Sequence, residues 1–127
     1  MFDRTWRWSG IFRLTEKNIG VAPEKIAVSV HELLLDCREQ LKTKAMSLDE
    51  IAVRFHHRLV SIHPFANGNG RHSRLMADLL LQQEGAKPFS WGAEELEKAG
   101  PVRERYIDAL READKKNLKP LLEFVRT

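Results

Sequence analysis

The chain has 127 residues, 43% hydrophobic and 31% charged, which fits one globular domain and excludes a disordered or low-complexity polypeptide. Its formal net charge of +3 and pI near 9.2 permit an anionic ligand such as a nucleotide without singling out DNA. No apolar run approaches the roughly 20 residues of a bilayer span, "FDRTWRWSG" after Met1 does not read as a signal peptide, and one cysteine excludes an internal disulfide.

A reducing cytoplasm is the compartment expected of such a chain. Residues 11–21, "IFRLTEKNIGV", are the least helical part: Asn18 and Gly20 sit between β-branched and aromatic residues, which predicts a short β-hairpin. Residues 23–42 open with Pro23 at a helix start, and Ile26, Val30, Leu33, Leu34, Cys37 and Leu41 recur on one face. Cys37, within "LLLDCREQL", reads as a buried helical thiol, and His31 as a surface residue. Residues 47–62 begin "SLDE", a capping box in which Ser47 and Glu50 satisfy each other's N–H groups. Ile51, Phe55, Leu59 and Ile62 follow as a stripe. Pro64 disfavours helical geometry at His63, so the helix is expected to stop there.

A third helix is predicted from Asn69 through "GRHSRLMADLLLQQE", with Gly85 as its C-cap. "AKPFSWG" reads as loop and "AEELEKAG" as a short helix. Pro101 then opens "PVRERYIDALREADK", with Val102, Tyr106, Ala109 and Leu110 on one side and interleaved charges typical of a solvated face on the other. A last helix starts near Pro120. The fold class is all-α: a compact helical domain spanning residues 1–127 with a short hairpin near its start.

No core-packing pattern asks for the mixture in "HPFANGNGRHSR", residues 63–74. The first turn of a helix leaves N–H groups without internal partners and carries partial positive charge. Glycines let a ligand approach that backbone. "NGNG" before a helix is therefore an anion pocket in the making. Arg71 and Arg74, one turn apart, project from neighbouring positions and can grip phosphate oxygens with forked hydrogen bonds. His63 stands just before the pocket as the natural base for an attacking hydroxyl. Phe65 would anchor the loop and fix the spacing between base and phosphate.

The same string resembles the signature of Fic-domain proteins, His-x-Phe-x-Asp/Glu-Gly-Asn-Gly-Arg-x-x-Arg. "TWRWSGIFR" is similar to the family's Trp-Ala-Gly region, and "VRFHHRLVSIHPF" to the helix leading into the motif. The resemblance covers roughly residues 5 to 90. Within the family the chain looks most similar to the bacterial group labelled mobile mystery protein B. The resemblance implies a mostly helical fold with a β-hairpin flap, and transfer of AMP from ATP to a Ser, Thr or Tyr hydroxyl of a target protein. It makes His63 the base, Gly68, Asn69 and Gly70 the hole for the inner phosphates, and Arg71 and Arg74 the grip on the outer ones. Mg²⁺, or Mn²⁺, would bridge the phosphates. The flap residues Arg13, Thr15, Lys17 and Asn18 would pair with the target's backbone as an added strand.

Two departures from the family pattern stand out. Asn67 occupies the position of the usual acidic metal ligand; an amide oxygen can ligate Mg²⁺ but brings no charge, which implies weaker metal binding and slower transfer. The alternative reading is a degenerate module that binds nucleotide or a partner with little transfer. The inhibitory pattern Ser/Thr-x-x-x-Glu-Gly/Asn is also unmatched: "SWGAEE" has the Ser-to-Glu spacing but not the residue that follows. Arg74 is then unrestrained, or restrained by a separate inhibitory protein, or by helical sequence missing before Met1. The resemblance further suggests a helix-turn-helix partner protein.

Other chemistry is less well supported. His56 and His57 are adjacent, about 100° apart on a helix, and lack the spacing of a zinc pair. One of them is expected to pack near the motif and the other to meet solvent. Trp6, Trp8 and Trp91 read as core rather than as a base-stacking platform, so direct nucleic-acid binding is not expected.

Overall fold

The computed structural model describes residues 20–93, 96 and 98–127. Among the described residues five α-helices follow one another: α1 (Ile26–Thr43), α2 (Leu48–Ile62), α3 (Asn69–Gln83), α4 (Pro101–Asp114) and α5 (Lys119–Phe124). The described residues form no strand, in keeping with the all-α expectation. The predicted hairpin lies almost wholly outside them, and its last residue, Val21, donates its N–H to Ile62 O at 3.2 Å. No helix among the described residues is long and apolar enough to cross a membrane.

α1 starts three residues later than predicted, because Pro23–Lys25 form a 3-10 turn before it. Its buried residues are Ile26, Val30, Leu33, Leu34 and Cys37, the predicted face, with Leu41 half-buried at the edge. Burial pushes the Cys37 thiol up to about 12, so it is an inert core group.

α2 is the central helix, packed against both α1 and α3. Ser47 caps it by accepting the Glu50 N–H at 3.2 Å. The Glu50 carboxylate pairs one turn on with Arg54 Nε at 2.9 Å, the i, i+4 geometry that competes with the capping-box contact to Ser47. Two-sided packing explains why burial on α2 is wider than the predicted stripe: Ala52, Val53 and His56 join Ile51, Phe55, Leu59 and Ile62. The helix stops at Ile62, as Pro64 requires.

α3 also starts where predicted. At its far end Ala86 N–H reaches back to Leu81 O at 2.8 Å and Gly85 N–H to Gln82 O at 3.0 Å. That pair is a Schellman cap, and Gly85 takes the left-handed conformation it needs.

The loop after α3 is tied at two ends. Asp78 on α3 accepts the Phe89 N–H at 3.0 Å and the Trp91 indole N–H at 3.1 Å. Burial raises the Asp78 pKa, and those donated hydrogen bonds oppose the shift. Ser90 and Trp91 donate their backbone N–H groups to Val125 O. Trp91 is buried against Phe89, Tyr106 and His56, so it is core, as read. Trp6 and Trp8 lie outside the described residues. The short helix predicted for "AEELEKAG" does not form at its described positions: Ala93 closes a 3-10 turn, and Leu96, Lys98 and Gly100 are bends. Gly92 sits at φ 77°, with space for a Cβ only 2.7 Å from Val102 Cγ1. A helix through Gly92 would need a different backbone at that close approach.

α4 opens at Pro101 and buries Tyr106, Ala109 and Ala113; α5 adds Leu121 and Phe124 to the same core. α4 and α5 pack on each other, and α5 reaches α2. Arg126 then clasps Asp49 at the start of α2 through two hydrogen bonds, at 3.0 and 2.8 Å. Its third nitrogen donates to the Lys87 and Pro88 carbonyls. α4 faces the start of α3 across the cavity that both line.

Candidate functional site

The segment between α2 and α3 is built by three backbone devices. His63 caps α2 in the left-handed conformation, φ 54° and ψ 60°, with its N–H on Leu59 O at 3.3 Å. A non-glycine residue there is uncommon and fixed by its surroundings; it turns the chain sharply out of the helix. Pro64 is buried behind it. Gly68 is left-handed again, φ 75°, and is the N-cap of α3. The α3 ladder begins with His72 donating to Gly68 O at 3.0 Å. The amides of Asn69, Gly70 and Arg71 lie ahead of that ladder, at the positive end of the helix, and Gly68 has no side chain to cap them.

Asn69 is the third device, through its side chain. The side chain is 6% exposed. Its Oδ1 accepts the Phe65 N–H and its Nδ2 donates to Phe65 O, both at 2.9 Å. The amide thus clamps both backbone groups of the loop's midpoint. The Asn69 contribution to an anion site is left to its backbone N–H. Phe65, expected as the anchor, is half-buried and packs edge-on against His72, ring centroids 4.6 Å apart. Burial pushes His72 down to about 4, which keeps it neutral at neutral pH. The loop's anchor is thus the Asn69 clamp together with the Phe65 ring.

A cavity of about 320 Å³ opens at this point. Gly68, Asn69, Gly70, Arg71 and Arg74 form one side; Leu96, Arg103, Tyr106 and Ile107 form the other. All five predicted phosphate-site residues line it. Arg74 folds back over the helix start, so that a Cβ on Gly70 would come within 3.0 Å of its Nη1. Its guanidinium also lies 5.4 Å from the centre of the Tyr106 ring. Among the described residues, three arginines and no carboxylate line the opening. Such a surface focuses positive potential and suits a polyanion.

Arg103 and Tyr106 were not legible as site residues. In the sequence they belong to "VRERYIDALREADKK", which reads as a charged helix; only the tertiary fold, which sets α4 across the cavity from the start of α3, brings them there. Asn67, the metal candidate, is exposed at the loop's tip. Among the described residues no group of three His, Cys, Asp or Glu side chains is placed to hold a metal ion. One neutral amide is a poor donor set for a protein-held Mg²⁺. The flap candidates Arg13, Thr15, Lys17 and Asn18 lie outside the described residues.

The histidine pair resolves clearly. His56 is fully buried, and its Nε2 is 2.8 Å from the Tyr106 hydroxyl. Desolvation pushes it down to about 3. His56 therefore packs behind the motif, as one of the pair was expected to. His57 is more covered than expected, and its Nε2 is 2.7 Å from Asp114 Oδ1. His31 is exposed, as read.

The His56 shift has a pH consequence. The unfolded chain binds this proton near pH 6.5 and the fold resists it until about 3. The stability conferred by neutral His56 is complete above 6.5 and is lost as pH falls through the window down to 3. Urea titrations should show stability falling on acidification below 6.5, by up to about 1.4 kcal/mol per pH unit for each such proton. His56→Gln should flatten that slope, and an unchanged slope would contradict the assignment.

A second cavity, of about 520 Å³, lies between α1, α2 and α4 and is lined by Cys37, Phe55 and His57 among others. It holds none of the motif residues. Two of its lining side chains are paired within the chain, His57 with Asp114 and Arg58 with Asp36, both at 2.7 Å.

Comparison with known proteins gives the family. The model of the Fic/DOC family matches residues 2–81. The chain is 31% identical over 121 residues to protein adenylyltransferase fic-1 of Caenorhabditis briggsae, covering 92% of this chain and 22% of that protein. It thus spans about a fifth of the length of this curated relative. Among solved structures, a fragment of Fic-1 from C. elegans superposes with a TM-score of 0.66 at 27% identity, covering 91% of this chain and 32% of that one. A Fic domain containing signaling protein from Bacteroides thetaiotaomicron gives 0.68 at 19% identity, covering 84% and 44%, which supports the fold. With the family model matching well over half of the sequence, the chain belongs to the Fic/DOC family.

Proposed function

We propose that this chain, as one Fic domain from residue 1 to 127, transfers AMP from ATP to a Ser, Thr or Tyr hydroxyl of a target protein. The observation that carries the reading is the convergence of the uncapped α3 start and three arginines on one cavity, six residues after a histidine fixed in a left-handed turn. The amides of Gly68, Asn69 and Gly70 take the inner phosphates, and Arg71 and Arg74 the outer ones. His63 takes the proton as the target oxygen bonds to the α-phosphorus and the bond to pyrophosphate breaks. Catalysis is then positioning and charge stabilisation. Relatives named as protein adenylyltransferases support the same reaction class.

Mg²⁺, or Mn²⁺, belongs in this reading as part of the nucleotide substrate, since the donor set at Asn67 does not fit a resident ion. Asn67→Asp adds a charged oxygen at the loop tip. At limiting Mg²⁺ it should raise transfer about tenfold, the order of one added charged ligand. An unchanged or lower rate would count against the role given to position 67. The residues before 20, with Arg13, Thr15, Lys17 and Asn18, serve as the target-pairing flap. Restraint of Arg74 by a separate inhibitory or helix-turn-helix partner, a cytoplasmic setting and kinship with the mobile mystery protein B group complete the reading.

The neutral Asn67 favours one rival, a domain that holds nucleotide or a partner with little transfer. Incubation with each α-labelled NTP and Mg²⁺ or Mn²⁺ separates the two. Protein labelled from ATP alone supports AMP transfer; measurable nucleotide binding without label favours the rival; no binding would sink both.

A further inference from the structure

The cavity has a second wall, and that wall lies beyond the residues the family model matches. Arg103 and Tyr106 come from α4, one helical turn apart, whereas the match ends at residue 81. Tyr106 is held from behind by His56, at 2.8 Å, and carries the Arg74 guanidinium over its ring. Arg103, on the same face of α4 one turn earlier, therefore meets the cavity from the side opposite Gly68–Arg71.

From this placement we infer that Arg103 is a further phosphate-binding residue, which grips the terminal phosphate of a nucleoside triphosphate against Arg74 and so selects triphosphate over monophosphate. The inference rests on the nucleotide reading above and adds to it the residue that measures the length of the phosphate chain. The inner phosphates occupy the α3 amides. A chain of phosphates running from there along Arg71 and Arg74 extends toward α4, where the third arginine among the described lining residues is Arg103. Three guanidiniums around one opening repel one another, and a triphosphate's charge relieves that repulsion more completely than a monophosphate's does. Leu96 and Ile107, which line the same wall, are uncharged. A forked guanidinium suits a terminal phosphate better than an ammonium does.

The test is equilibrium binding of ATP, ADP and AMP to the full chain and to three variants. Arg103→Ala should weaken ATP about tenfold and leave AMP within about twofold, a loss on the scale of one charge-assisted hydrogen bond. Arg103→Lys should fall between, because it keeps charge and loses the fork. Arg111→Ala, on α4 roughly 12 Å further along, should bind all three as the parent does. Arg103 is exposed, so these variants should fold. If Arg103→Ala keeps the parent's ratio of ATP to AMP affinity, by binding both as well or losing both equally, the inference falls and the phosphate pocket stands. If the parent binds no nucleotide, the inference and the reading it rests on fall together.

Discussion

Replacing His63 with asparagine should lower AMP transfer about 10²–10⁴-fold, the range lost with a general base, while leaving the fold and ATP affinity nearly unchanged. Asparagine is the informative substitution because of the backbone. His63 sits at φ 54°, where β-branched and bulky residues are strained and asparagine is tolerated. His63→Asn therefore keeps the left-handed exit from α2 and removes only the group that takes the proton. His63→Ala should lose as much transfer with a modest cost in stability, since alanine tolerates that conformation less well. Transfer rates with α-labelled ATP, paired with urea titrations, separate the two effects. Near-parental transfer by His63→Asn would show that another group is the base.

Asn69→Ala should cost about 2–3 kcal/mol of stability and about 10²-fold in transfer. Its amide makes two hydrogen bonds to Phe65, each 2.9 Å long, in a nearly closed site. Truncation leaves the Phe65 N–H and carbonyl without those partners. A released loop then misplaces His63 relative to the α3 start, and a displacement near 1 Å is enough for a loss of that size. Asn69→Asp sharpens the test. A carboxylate can still accept the Phe65 N–H, and a negative charge suits a helix N-terminus. It also sets an oxygen against Phe65 O, where the amide placed a donor. Asn69→Asp should therefore remain well below the parent in transfer. Parental stability and rate in both variants would mean that the clamp is dispensable.

The sequence is most informative where one residue type has one physical consequence. Pro64 stops α2, Ser47 caps it, Gly68 and Gly85 take left-handed turns, and Pro101 and the neighbourhood of Pro120 start helices. The apolar spacing of α1 names its buried face for the same reason. Where two interactions compete, the sequence is less decisive. Glu50 can reach Ser47 or Arg54, and it takes Arg54. Asn69 in "NGNG" reads as part of an anion hole, yet its side chain belongs to Phe65. The widest gap is α4. Arg103 and Tyr106 sit in an evenly charged helix, and nothing local marks them. Their part in the cavity comes from long-range packing, which a 3.6-residue period does not encode. "AEELEKAG" has helix-forming residues but follows a strained 3-10 turn at Trp91–Ala93 and docks Leu96 in the core, and its described residues bend.

On the proposed reading, nucleotide phosphates sit at the start of α3. Backbone amide shifts of the isotope-labelled chain during an ATP titration test it most directly. The account predicts saturable shifts at Gly68, Asn69, Gly70 and Arg71, with weaker ones on α4 near Arg103, and none around Cys37 and His57 at the larger cavity. Shifts centred on that larger cavity, or no saturable shifts at all, would contradict it.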